Sequence, residues 1–138
     1  MLLQSYLVAA SAVIILSLGV AHLWLTFAGT ALHPRGTSLR AAMEHEHPHL
    51  TRQTTMWRAW VGFNASHSLG AILFGLMYGY FAVVAPETLF QSPYLLAVGL
   101  ILLLAYVALG KRYWFSVPFR GIVLATVLYI AAIGAAFA

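Results

Sequence analysis

This sequence predicts an all-α polytopic membrane protein: a bundle of four transmembrane helices with a short interfacial helix in the first loop. Three observations carry that expectation. The 138 residues are 62% hydrophobic and only 7% charged, and the mean hydropathy is +0.89. Four apolar runs each approach or exceed the roughly 20 residues needed to cross a hydrocarbon core. The charges gather between those runs. A soluble domain of this size needs more polar surface than such a composition provides. The length fits one compact bundle, so residues 1–138 are read as a single domain. The absence of cysteine excludes disulfides, iron–sulfur clusters and thiolate zinc sites. A net charge of +4 and a pI near 9.8 do not point to nucleic acid, because the basic residues flank apolar runs and read as topology signals.

The first span is expected at about residues 3–29. No basic residue precedes its apolar core, and the core is too long for a signal peptide, so it is read as a retained helix. The second span covers about residues 55–84. The third, about 93–110, has Ser92 as N-cap and Pro93 at its first helical position. The fourth, about 117–137, is opened by Ser116 and Pro118. The loop between the first two spans is the only long one. Within it, TSLRAAMEHEH suggests a short helix lying on the bilayer surface. Thr37 or Ser38 would cap it, Leu39 and Met43 form an i,i+4 apolar pair, and Pro48 ends it.

Arg35, Arg40, Arg52 and Arg58 lie in or beside the first loop. Lys111, Arg112 and Arg120 surround the loop between the third and fourth spans. The positive-inside rule puts both loops in the cytoplasm and both termini outside. Trp24, Trp57, Trp60 and Trp114 fall at the same end as an aromatic belt, and Tyr6, Tyr80, Phe81, Phe90 and Tyr94 mark the other interface. No internal repeat is evident, which argues against a transporter of inverted halves.

The second span concentrates the polar groups. At about 100° per residue, Trp57, Trp60, Asn64, His67, Ser68, Ala71, Gly75, Tyr78 and Gly79 share one broad face. Gly75 and Gly79 form a GxxxG pair, and Gly62, Ser66 and Gly70 make a second small-residue stripe. Two such stripes predict neighbours on two sides and a central place in the bundle. In the first span, His22 lies within roughly one helical turn of the depth of His67, so adjacent antiparallel helices would bring the two together with Asn64 alongside. Ionisable groups inside a span are default candidates for a functional site. The alternative is a hydrogen-bond network that only fixes packing.

Three sharper readings follow. Haem held by His22 and His67 conflicts with the roughly 8–10 Å spacing of neighbouring helices. A metal site has two imidazoles but no inward carboxylate or thiolate, since the three carboxylates, Glu44, Glu46 and Glu87, are all in loops. A polar pocket for a lipid headgroup, a quinone or another amphipathic molecule is preferred, with His22, Arg58, Trp60, Asn64, His67 and Ser68 as ligand-binding candidates. Arg58 has a simpler alternative as an interfacial residue that snorkels to phosphates. In the loop, EHEHPH offers His45, His47 and His49 with Glu44 and Glu46 as metal donors, but a solvated loop is the favoured reading. No cofactor is assigned. No hydrolase, zincin or P-loop signature is present, and Ser66, His67 and Ser68 point to different sides of a helix, so no catalytic residue is assigned. The partners implied are the lipid bilayer, a lipid- or quinone-like ligand, and a second copy of the chain or a larger membrane complex.

The elements H-L-W (His22–Trp24), P-x-G (Pro34–Gly36), L-x-x-x-M (Leu39–Met43) and MWRAWVGFNASHSLG (Met56–Gly70) resemble an uncharacterised group of small four-span bacterial inner-membrane proteins sharing an MWxxWxGFNxSHSLG-like segment. The resemblance covers roughly the first 80 residues. It implies a four-helix membrane fold in a bacterium and brings no activity, substrate or cofactor.

Overall fold

The computed structural model describes residues 2–138. Among these, the ordered elements are all helical: α1 (Leu3–Phe27), α2 (Thr37–His45), α3 (Met56–Val84), α4 (Pro86–Phe90), α5 (Pro93–Tyr113) and α6 (Ser116–Phe137). Helices α1, α3, α5 and α6 are long and apolar enough to cross a membrane. They match the four expected spans, with small differences at the ends. Helix α1 stops at Phe27, followed by Gly29 at φ 91°, a left-handed conformation that glycine adopts at low cost. Helix α5 continues three residues beyond the expected end and carries Lys111 and Arg112 in its last turn, where cations complement the helix dipole. The Ser92 cap forms as expected, its hydroxyl accepting from the Leu95 N–H at 3.3 Å.

Two local expectations are corrected. Helix α2 exists, but its N-cap is Gly36, without a side-chain capping bond from Thr37 or Ser38. It ends at His45, three residues before Pro48, where the extended Glu46 donates its N–H to Ala42 O. Helix α4 was not anticipated. Pro86 begins it and Leu89 is fully buried, so five residues that read as a loop make one anchored turn.

The chain divides into two compact units. One contains the residues up to Leu18 together with Ala71–Ala138. Here the four long helices close into a ring in the order α1, α3, α5, α6. Gly75 brings α3 onto α1: a Cβ there would stand 2.9 Å from Ala12 O and from Leu16 Cα. The Tyr78 hydroxyl donates to Leu95 O of α5 at 2.7 Å, and the Tyr129 hydroxyl of α6 donates to Leu96 O at 3.3 Å. Gly99 of α5 leaves room for both phenol heads. Gly121 of α6 faces Leu18 of α1, closing the ring. Phe74 stacks on Tyr78, and Tyr78 meets Tyr129 edge-to-face at 5.7 Å. This aromatic column is the centre of the unit.

The other unit is Gly19–Gly70. It holds the end of α1, the connecting segment with α2, and the beginning of α3.

Candidate functional site

The candidate site lies wholly within Gly19–Gly70. His22 and Thr26 come from one side of α1, and Asn64, His67 and Ser68 come from α3. Asn64 and His67 are three apart and Asn64 and Ser68 four apart, so helical periodicity puts them on one face.

Asn64 organises the cluster. Its Nδ2 donates to Trp60 O at 2.8 Å. Its Oδ1 therefore accepts, and His22 Nε2 stands 3.0 Å from it. An amide oxygen only accepts, so His22 donates from Nε2–H. The His67 ring meets the His22 ring edge-to-face, with centroids 5.3 Å apart and planes at 87°. The other polar groups close onto their own helices. Ser68 Oγ donates to Asn64 O and Thr26 Oγ1 to His22 O, each at 2.8 Å. Such back-bonding is a usual way to satisfy a hydroxyl in an apolar helix. Ser68 is fully buried, whereas His22, Asn64 and His67 are half-buried.

The arrangement joins His22, Asn64, His67 and Ser68, as the depth count and the shared face predict. It does not join Arg58 to them. Nine residues separate Arg58 from His67, which at about 100° each is a half-turn of the helix. Arg58 is accordingly exposed on the other side of α3. Its position at the same membrane end as His67 suggested a shared site, but helix face decides otherwise. Trp60 serves a different purpose. Its indole N–H donates to Leu32 O at 3.1 Å and ties the connecting segment to α3. Two members of the second small-residue stripe, Gly62 and Ser66, do not meet a neighbouring helix. Gly62 is exposed with nothing near a Cβ built on it, and the exposed Ser66 bonds to Phe63 O. Burial along α3 instead follows Ser68, Ala71, Phe74, Tyr78 and Ala82.

Chemically, the cluster presents two imidazoles and a carboxamide at one place on an apolar helix pair. With His22 and His67 in edge contact, no slot for a macrocycle lies between them, so bis-histidine haem does not fit this arrangement. No group of three or more His, Cys, Asp or Glu side chains suited to a metal ion occurs among the described residues. His45, His47 and His49 are all exposed. His47 Nδ1 lies 2.7 Å from Thr54 O, to which it donates, and Glu44 is committed to Arg40.

The connecting segment is held by residues that the sequence alone does not mark as a site. The Arg40 guanidinium lies 3.3 Å from the Trp57 ring centroid. Its Nε donates to Glu44 Oε1 at 2.8 Å, and its Nη1 rests against the His33 imidazole, 3.0 Å from Nδ1 and 3.5 Å from Nε2. His33 itself meets Trp57 edge-to-face at 4.8 Å. The Met56 N–H donates to Glu46 O at 2.9 Å, fixing the entry to α3. The i,i+4 spacing of Arg40 and Glu44 is a legible signal for one part of this assembly. The reach to His33 and Trp57 has none. No family model, curated protein or solved structure matches this chain.

Proposed function

We propose that the chain is a multi-pass bacterial inner-membrane protein that binds a small amphipathic, lipid-like or quinone-like molecule at His22, Asn64 and His67. In this reading all four long helices span the bilayer, α2 lies at its cytoplasmic surface, and both termini are outside. The resemblance of Met56–Gly70 to the small four-span group supports the same setting. The observation that carries the ligand is the half-burial of two imidazoles and a carboxamide on two predominantly apolar helices. Hydrogen-bonding side chains gathered within an apolar helix pair are the kind of feature that orients a ligand carbonyl or hydroxyl. Trp60, 43% exposed, adds an aromatic wall.

A second reading has its own observation. Asn64, Ser68 and Thr26 all bond to backbone of their own helices, as they would in a subunit whose polar groups only organise packing. Extraction into native-lipid discs followed by mass spectrometry of co-purifying molecules separates the two. Under the ligand reading, the wild type retains one amphipathic species that His67→Phe and His67→Gln lose while helix content is unchanged. Identical lipid profiles in all three folded proteins would reject the ligand and favour the packing subunit.

A further inference from the structure

We propose that residues 46–56 form a membrane anchor: a clamped loop that sets Leu50 into the acyl boundary and Arg52 against the phosphates of anionic phospholipids. The segment is not a slack connector. The Met56 N–H donates to Glu46 O at 2.9 Å, and His47 donates from Nδ1 to Thr54 O at 2.7 Å. These two bonds close the neck of a compact loop of the Ω type. At its far end the Thr51 N–H donates to Pro48 O at 3.1 Å, which makes a β-turn with His49 and Leu50 at its centre. The Gln53 N–H then donates to Thr51 Oγ1 at 3.1 Å and holds the returning chain.

Turn centres favour Gly, Pro, Asn, Asp and Ser, which suit a tight backbone or bond to it. Leucine offers neither advantage. Leu50 is nonetheless 95% exposed, and among the described residues no other large apolar side chain passes 75%. The two that reach 75%, Phe63 and Tyr94, lie on helices long and apolar enough to cross a membrane, where lipid would cover them. Leu50 lies on no helix.

Charge identifies the cover. Of the two carboxylates in the connecting segment, Glu44 is held by Arg40, which leaves Glu46 against Arg35, Arg52 and Arg58, all exposed. Arg52 follows Leu50 by two residues, and the first turn of α3 adds Arg58 and no acidic side chain. An apolar tip with uncompensated arginines behind it matches the bilayer boundary, where hydrocarbon gives way to phosphate. The loop also ends on Met56, the exposed first residue of α3, so the bilayer lies within its reach without any partner chain. The anchor rests on the reading that α3 spans a membrane, and not on a ligand at His22, Asn64 and His67.

The chain contains no cysteine, so the full-length protein takes a single spin label through His49→Cys, which leaves Leu50 and Arg52 in place, or through Phe63→Cys on α3. Both positions are exposed. In discs of phosphatidylcholine with phosphatidylglycerol, collisions with oxygen, which partitions into lipid, should outweigh collisions with a water-soluble nickel chelate at both labels. Leu50→Ser should reverse that balance at the first label and leave the second unchanged. Arg52→Gln, or discs of phosphatidylcholine alone, should shift the first label toward nickel. A first label in water with the second in lipid overturns the anchor and leaves the spanning reading standing, whereas both labels in water overturn the two together. Shielding of the first label from both reagents would assign the loop to a protein contact instead. Oxygen dominance that survives Leu50→Ser, or that ignores both Arg52→Gln and the loss of phosphatidylglycerol, also overturns the proposal.

Discussion

Gly75 and Gly79 stand one turn apart on α3 and face the same helix, yet they differ in what they tolerate. A Cβ at Gly75 would collide with Ala12 O and the Leu16 backbone, whereas one at Gly79 would meet only Ala12 Cβ at 3.8 Å, an ordinary contact. Gly75→Ala should therefore lower stability by about 1–3 kcal/mol, the usual cost of overpacking. Gly79→Ala should change it little, as measured by denaturation in detergent. A sequence pattern of small residues identifies the approach of two helices, but only the distances tell which glycine is indispensable. Ser11 gives a different lesson. Its hydroxyl is buried with no hydrogen-bond partner, so Ser11→Ala removes an unsatisfied group and should be neutral or stabilising by up to about 1 kcal/mol. For His22 and Asn64, whose bond joins two helices, a double-mutant cycle to Leu should report a coupling of about 0.6 kcal/mol, the typical size for such pairs in membranes. No measurable coupling would show that the 3.0 Å bond contributes nothing beyond packing.

Among the helices, α5 alone has both its cap and its first proline readable from the sequence. Ser92→Ala should destabilise its start by about 0.5–2 kcal/mol, seen as faster amide exchange over the first turn. The four long helices were legible because uninterrupted apolar runs have few other fates. Their ends were less so: Lys111 and Arg112 look like loop residues by hydropathy but extend α5 by favouring its C-terminal dipole. Helix α4 was hidden because five residues are too few to show a period. For the site, counting depth from the helix ends was enough to pair His22 with Asn64 and His67. It was not enough for Arg58, which precedes His67 by nine residues and lies on another face of the same helix. The docking of α2 was unreadable for another reason. Arg40 reaches Trp57 and His33 across 17 and 7 positions of chain, and an arginine among other arginines in a basic loop carries no mark of which aromatic it will cover.

For the molecule as a whole, the alternation of basic loops and tyrosine-rich ends makes a directional prediction. Reporter tags at both termini should be accessible from outside the cytoplasm, and tags placed in the connecting segment should be reached from within. Cytoplasmic access to either terminus would reject the proposed topology. The connectors set a further limit. Between α5 and α6 lie only Trp114 and Phe115, between α4 and α5 only Gln91 and Ser92, and between α3 and α4 only Ala85. Two residues span at most about 7 Å when extended, too little for either of their flanking helices to leave its companion. The stretches on either side of α2, residues 28–36 and 46–55, are long enough to swing out. If two copies of this chain ever trade parts, α1 is the piece that crosses over, and α3 to α6 stay together as an undivided block.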